Sequence, residues 1–180
     1  MRPAVILGID LGTRVTAAVL VPIGWGGDWR RVQYVTGGGP LHRDATDEQR
    51  ARRTEAIARL VVDLACESRR VKAAPNVMAY VESYGYSQRT AAHTLGELGG
   101  VVRLELLRAG VELRTANISS ARKLLLGKVP RKGADAKAEI LVTLRAAGAP
   151  FESLDVCDAF VAANLGLAEH GAWAFAQAAR

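Results

Sequence analysis

The feature that most constrains this chain is an apolar segment, residues 4–13 (AVILGIDLGT), which carries a carboxylate at Asp10. A buried strand would place an aliphatic side chain there, and glycines 8 and 12 flank the position. Burial of an unpaired charge costs several kcal/mol unless the charge is paired or binds a metal ion. The segment therefore predicts either a carboxylate that binds a ligand or a strand that is not buried.

The bulk composition is that of one globular domain. The chain has 180 residues, of which 49% are hydrophobic, enough for a substantial core. No apolar run approaches the ~20 residues that span a bilayer, and we find no signal-peptide pattern. The two cysteines are too few for a zinc cage or a disulfide framework and are expected to be reduced core thiols. We expect a single cytoplasmic domain, residues 1–180, with no membrane partner.

Hydrophobic periodicity and turn residues predict alternating strands and helices. Strands are predicted at residues 4–10, 14–22, 31–35, 77–82 and 111–116, and helices at 46–70, 87–109, 119–126, 136–147 and 153–169. Thr46 and Asp47 are candidate caps of the first helix, and the serines of SSARKLLL are expected to cap the third. Arg52 and Arg53 are predicted to lie on a solvated face. This order indicates an α/β fold in which helices cover both faces of a mixed five-stranded sheet, beginning with an antiparallel meander.

Three distant segments place carboxylates where they can meet. Glu82 ends the strand at 77–82, as Asp10 ends the first strand. Asp155 and Asp158 are three residues apart, on one face of the last helix, although Asp155 alone could be a helix cap. Four converging carboxylates would repel one another unless a hard divalent cation such as Mg²⁺ or Mn²⁺ were bound. Two such ions are suited to phosphodiester hydrolysis.

In these motifs the chain resembles the RuvC-type Holliday junction resolvases of the ribonuclease H-like superfamily. The resemblance rests on GIDLGT, YVESYGYS, TLGELGGVV and DVCDAF, in that order. It implies that Asp10, Glu82, Asp155 and Asp158 are catalytic acids that hold two Mg²⁺ or Mn²⁺ ions per active site. It also implies a homodimer that nicks opposed strands of a four-way DNA junction during recombination and repair, with the 87–109 helix contributing to the dimer interface. The chain departs from many cellular members at Leu11 and Thr13, so a phage-encoded or divergent member is consistent with the sequence.

A basic cluster follows in the chain, which has a net charge of +6. Its members are Arg122, Lys123, Lys128, Arg131, Lys132 and Lys137. These residues are candidates for DNA phosphate contacts, although a solvated basic face would have the same composition. By the resemblance, Arg122 or Lys123 together with Lys137 correspond to basic residues near the scissile phosphate. Tyr84 and Tyr86 are candidates for stacking on unpaired bases, or for packing against the neighbouring helix.

Other functions remain open at this point. GIDLGT also resembles the first phosphate loop of actin-like and sugar-kinase proteins, but we find no second glycine-rich phosphate loop. A ribonuclease H-like nuclease that acts on RNA or on other branched DNA is a further alternative. A catalytically inactive DNA-binding relative is disfavoured because all four acids are present.

Overall fold

The computed structural model describes residues 3–39, 42, 44–71, 76–83, 92–128, 134–172 and 174–175. The strands are β1 (Val5–Asp10), β2 (Val15–Pro22), β3 (Gln33–Gly38), β4 (Val77–Glu82) and β5 (Glu112–Ala116). The helices are α1 (Asp47–Val71), α2 (Ala92–Arg108), α3 (Ile118–Leu126), α4 (Ala134–Ala146) and α5 (Leu154–Glu169), and a short 3₁₀ turn spans Trp29–Arg31. Each predicted element has a counterpart among the described residues, with shifted ends, and the predicted start of the second helix, residues 87–91, lies outside them.

The five strands form one mixed sheet in the order β3-β2-β1-β4-β5. β1, β2 and β3 pair antiparallel, as the predicted meander requires, whereas β4 and β5 run parallel to β1. Side chains alternate between the two faces along each strand. Helices α3, α4 and α5 lie with one core cluster, and α1 and α2 lie with the other. The predicted α/β fold with helices on both sheet faces is confirmed.

Helix α5 packs very close to the centre of the sheet because a glycine lies at each of two contact points, one on β1 and one on α5. A Cβ atom on Gly8 of β1 would lie 2.0 Å from the carbonyl oxygen of Ala159. A Cβ atom on Gly166 of α5 would lie 2.6 Å from the ring of Tyr80. Both distances are far below van der Waals contact, so any larger residue would push the helix away from the sheet. Helix α5 therefore lies against the sheet face that carries the even-numbered residues of β1.

The helix starts use local side-chain caps. At α1 the Thr46 hydroxyl accepts a hydrogen bond from the Gln49 amide at 3.2 Å, and the Gln49 side chain accepts one from the Thr46 amide at 2.9 Å. This reciprocal capping box agrees with the predicted start. The serine caps predicted for α3 are wrong, since Asn117 is its N-cap and accepts a hydrogen bond from the Ser120 amide. Asparagine caps at least as well as serine, and the helix therefore begins at the residue that follows Asn117.

Of the cysteines, Cys157 is buried and Cys66 is partly buried, and neither forms a disulfide. None of the helices within the described ranges combines the length and the apolar character needed to cross a membrane.

Candidate active site

Asp10 and Glu82 lie side by side at the ends of neighbouring parallel strands. Ile9 pairs with Val81 in the β1–β4 register, so the next residue of each strand is an acid. Both face α5, since even-numbered residues of β1 and β4 such as Ile6 and Tyr80 belong to that side of the core. The buried Asp10 carboxyl is hydrogen-bonded to the side chain of Glu82. Burial, this hydrogen bond and repulsion by Glu82 together raise the pKa of Asp10 to about 9.

The other two acids come from the first turns of α5. Ser153 caps the helix by accepting a hydrogen bond from the Val156 amide at 3.1 Å. The alternative role of Asp155 as the cap is therefore wrong, and its half-buried carboxylate is available to the site. Asp158, one turn further along, is only 1% exposed. A carboxylate that is so deeply buried must be paired.

Two cationic side chains pair with Asp158. Arg122 on α3 makes a bidentate contact, with its Nη2 atom 2.9 Å from Oδ1 and 2.8 Å from Oδ2. Lys137 on α4 places its Nζ atom 2.7 Å from Oδ2. Of the two residues that the resemblance left open, the structure brings Arg122 to the acids, whereas Lys123 is exposed. Side chains from α3 and α4 therefore converge on the buried Asp158 carboxylate of α5.

The ammonium group of Lys137 links all of these elements. Besides Asp158, its Nζ atom lies 3.8 Å from Asp155 Oδ1 and 3.9 Å from Asp10 Oδ2. Burial alone would lower the pKa of Lys137, but the hydrogen bond to Asp158 and the charges of the aspartates outweigh burial and raise it. The acids predicted from three remote segments are thus gathered around one positive charge, with Glu82 joined to them through Asp10.

The remaining predicted contact residues either pair outside this cluster or fall outside the described residues. Lys128 is ion-paired with Glu139 at 2.5 Å, so its partner is not one of the four acids. Four residues that were predicted to contact DNA fall outside the described residues: Tyr84, Tyr86, Arg131 and Lys132. Their roles stay predictions.

The donor set suits a hard divalent cation in chemical kind, because all four acids offer carboxylate oxygens. Burial first, and Glu82 second, raise the pKa of Asp10, and a bound cation would favour the charged form of this carboxyl. Within the described part of the chain, however, no three His, Cys, Asp or Glu side chains are arranged to hold a metal ion. The four acids suit Mg²⁺ or Mn²⁺ as ligands. In this structure the aspartates pair instead with the side chains of Lys137 and Arg122.

Arg53 has a role that its helical pattern did not reveal. It was predicted on a solvated face together with Arg52, yet it is half-buried. Its guanidinium donates hydrogen bonds to carbonyl oxygens of Thr13 at 2.8 Å, Arg14 at 3.0 Å and Gly39 at 3.2 Å. Arg53 therefore ties α1 to the turn that follows β1 and to the end of β3. The hydrogen-bond acceptors of Arg53 are main-chain carbonyls remote in sequence, so no local sequence pattern could have identified this role.

The fold is similar to that of RuvC from Thermus thermophilus. One RuvC structure matches with a TM-score of 0.63 and 20% identity, over 93% of this chain and 97% of that chain. The T. thermophilus RuvC in complex with Holliday junction substrate matches with a TM-score of 0.61 and 20% identity, over 93% and 96% of the two chains. No protein-family model and no curated protein matches. The chain therefore has a RuvC-like fold of the ribonuclease H-like kind.

Proposed function

We propose that this protein is a metal-dependent DNA endonuclease that resolves four-way junctions by paired, symmetric nicks. The observation that carries the proposal is the convergence of acids from β1, β4 and α5 with the cations of α3 and α4. A fold shared with a RuvC that was solved on a Holliday junction substrate supports the choice of substrate. The class of reaction is phosphodiester hydrolysis.

The acids are the proposed holders of two Mg²⁺ or Mn²⁺ ions: Asp10, Glu82, Asp155 and Asp158. When bound, such ions would activate a water molecule and stabilise the leaving oxygen of the phosphodiester. The chain itself supplies the rigid placement of these oxygens. Two of the acids are fixed by strand register, and two by the close contact of α5 with β1. A site whose supporting elements are packed in this way holds its reacting groups in position.

The basic side chains beside the acids are the proposed DNA contacts. Arg122 and Lys137 lie where they can neutralise a phosphate that approaches the acids. Lys123 is exposed on α3, and Lys128 is exposed next to Glu139, so both are accessible to a DNA backbone. A chain with net charge +6 attracts a polyanion. Binding is therefore expected to weaken steeply as salt is added.

The proposed enzyme is a homodimer that pairs through α2. Leu104 and Leu107 are 47% and 57% exposed on this helix. A Cβ atom added at Gly96 or Gly100 would meet nothing within 4 Å, so another backbone could approach closely there. These four positions recur at near-helical spacing and form a stripe that the described residues leave exposed. Two active sites related by a twofold axis would be matched to the symmetry of a four-way junction.

Cleavage of two synthetic four-way junctions tests the proposal. In one junction the crossover point can migrate, and in the other it is fixed. With Mg²⁺, the proposal predicts pairs of nicks at symmetric positions on opposed strands, which are mapped on sequencing gels. The Asp10→Asn variant should bind the junction but leave it uncut, while Asp63→Asn, an exposed acid of α1, should cut normally. An uncut junction in the presence of Mg²⁺ would refute the proposal. Preferential cutting of RNA or of other branched DNA would replace the substrate with the alternative considered above.

A further inference from the structure

Lys137 contacts three of the four acids that are proposed to hold the divalent cations. Its Nζ atom lies within 4 Å of oxygens from Asp10, Asp155 and Asp158, which belong to two different elements. We propose that the Lys137 ammonium is a resident counterion that holds the acids together in the metal-free protein and must leave when a divalent cation binds. The inference rests on the proposed function only in taking these acids as cation ligands.

Of the two cationic side chains that the described residues bring to Asp158, Lys137 is the one that can leave. Arg122 contacts both oxygens of Asp158 through a planar fork and is only 14% exposed. Such bidentate pairs are geometrically fixed. Lys137 contacts Asp158 through one atom at the end of a flexible side chain that is 33% exposed. An ammonium group on a four-carbon stem can swing toward solvent at little cost, whereas the Arg122 pair would remain.

Electrostatics makes the two occupants mutually exclusive. A divalent ion bound by Asp155 and Asp158 would lie within a few ångströms of the present ammonium position, where like charges repel strongly in a partly buried setting. Lys137 therefore lowers cation affinity as long as it stays among the acids. When it leaves, its ammonium becomes available to a substrate phosphate, the partner that the proposed function gives it.

Direct cation binding to the 180-residue protein tests this inference. Mn²⁺ is titrated calorimetrically without DNA into the wild-type protein and two variants, Lys137→Gln and Lys128→Gln. Both variants lose one positive charge, but Lys128 pairs with Glu139 and not with the four acids. We expect Lys137→Gln to lower the Kd for Mn²⁺ by about tenfold or more, and Lys128→Gln to change it less than about threefold. An unchanged or higher Kd in Lys137→Gln would overturn the inference, as would equal gains in the two variants.

A measurement on the wild-type protein covers the case in which Lys137→Gln does not fold. Reductive methylation followed by mass spectrometry reports the accessibility of each lysine. We expect Lys137 to react more slowly than the exposed Lys123 in EDTA, and to react faster once Mn²⁺ is added. A Lys137 rate that is unaffected by saturating Mn²⁺ would contradict the inference. Neither readout uses DNA, so failure of the junction assay and failure of this inference are separate results.

Discussion

Replacing the buried Asp10 by asparagine should abolish cleavage and at the same time stabilise the metal-free protein. Burial, followed by the hydrogen bond to Glu82 and its repulsion, raises the pKa of Asp10 from 3.8 to about 9. The native protein thus retains a proton that the unfolded chain releases above about pH 4. The stability that this proton contributes is full below pH 3.8 and is lost as the pH rises toward 9. Asparagine is neutral at every pH and can donate the same hydrogen bond to Glu82.

The size of the effect follows from the pKa difference. Each pH unit between the unfolded and folded pKa values removes about 1.4 kcal/mol from the free energy of unfolding. From pH 3.8 to pH 7 the upper bound is therefore about 4 kcal/mol. Relaxation of the site when Asp10 ionises reduces this bound, and we expect about 2 kcal/mol at pH 7. For a chain of this length, that corresponds to an increase in Tm of about 4–8 °C.

The assay is urea and thermal unfolding in EDTA at pH 6, 7 and 8. The stability difference between Asp10→Asn and wild type should be positive and should grow with pH. Asp63→Asn, at an exposed position on α1, serves as the matched control and should show no such trend. A less stable Asp10→Asn protein, or a difference that does not depend on pH, would refute the electrostatic interpretation of the acid cluster.

Three further predictions concern the packing, pairing and assembly of the fold. Arg122→Met removes the bidentate partner of a carboxylate that is 1% exposed and should cost about 3 kcal/mol in urea unfolding; a loss below ~0.5 kcal/mol would show that the pair is unimportant. Gly8→Ala would place a Cβ atom 2.0 Å from a carbonyl oxygen of α5 and should cost at least about 3 kcal/mol, whereas Gly24→Ala, with open space around it, should change stability little. Equal effects of the two glycine variants would contradict the close helix contact. Combining Leu104→Glu with Leu107→Glu should convert a dimer to a monomer, as measured by light scattering, and the two strands of a junction should then no longer be nicked in pairs. An unchanged dimer would exclude α2 as the interface.

The sequence was most informative where local patterns and chemistry agreed. Asp10 and Glu82 interrupt apolar strands, and such a conflict between pattern and residue identifies a position with another role. The spacing of Asp155 and Asp158 placed both acids on one helix face without any knowledge of the sheet. Their meeting with the strand acids then followed from the resemblance and the order of elements, and the structure brings them together.

What could not be predicted depends on contacts between residues remote in sequence. The close approach of α5 to β1 is visible only once Gly8 is seen against Ala159. Arg53 donates to carbonyl groups, which every residue carries and which therefore leave no trace in the sequence. The resemblance placed Lys137 near the scissile phosphate, but nothing in the sequence indicated that it would contact three aspartates while Lys128 would pair with Glu139. Side-chain pairing of this kind is decided by tertiary packing and not by composition.

A crystal of the protein grown with Mn²⁺ and measured at the manganese absorption edge would show whether the acids are cation ligands. We predict anomalous density among Asp10, Glu82, Asp155 and Asp158, with the Lys137 ammonium displaced from Asp158. Absence of anomalous density at saturating Mn²⁺, with Lys137 still bonded to Asp158, would contradict both the metal site and the function built on it.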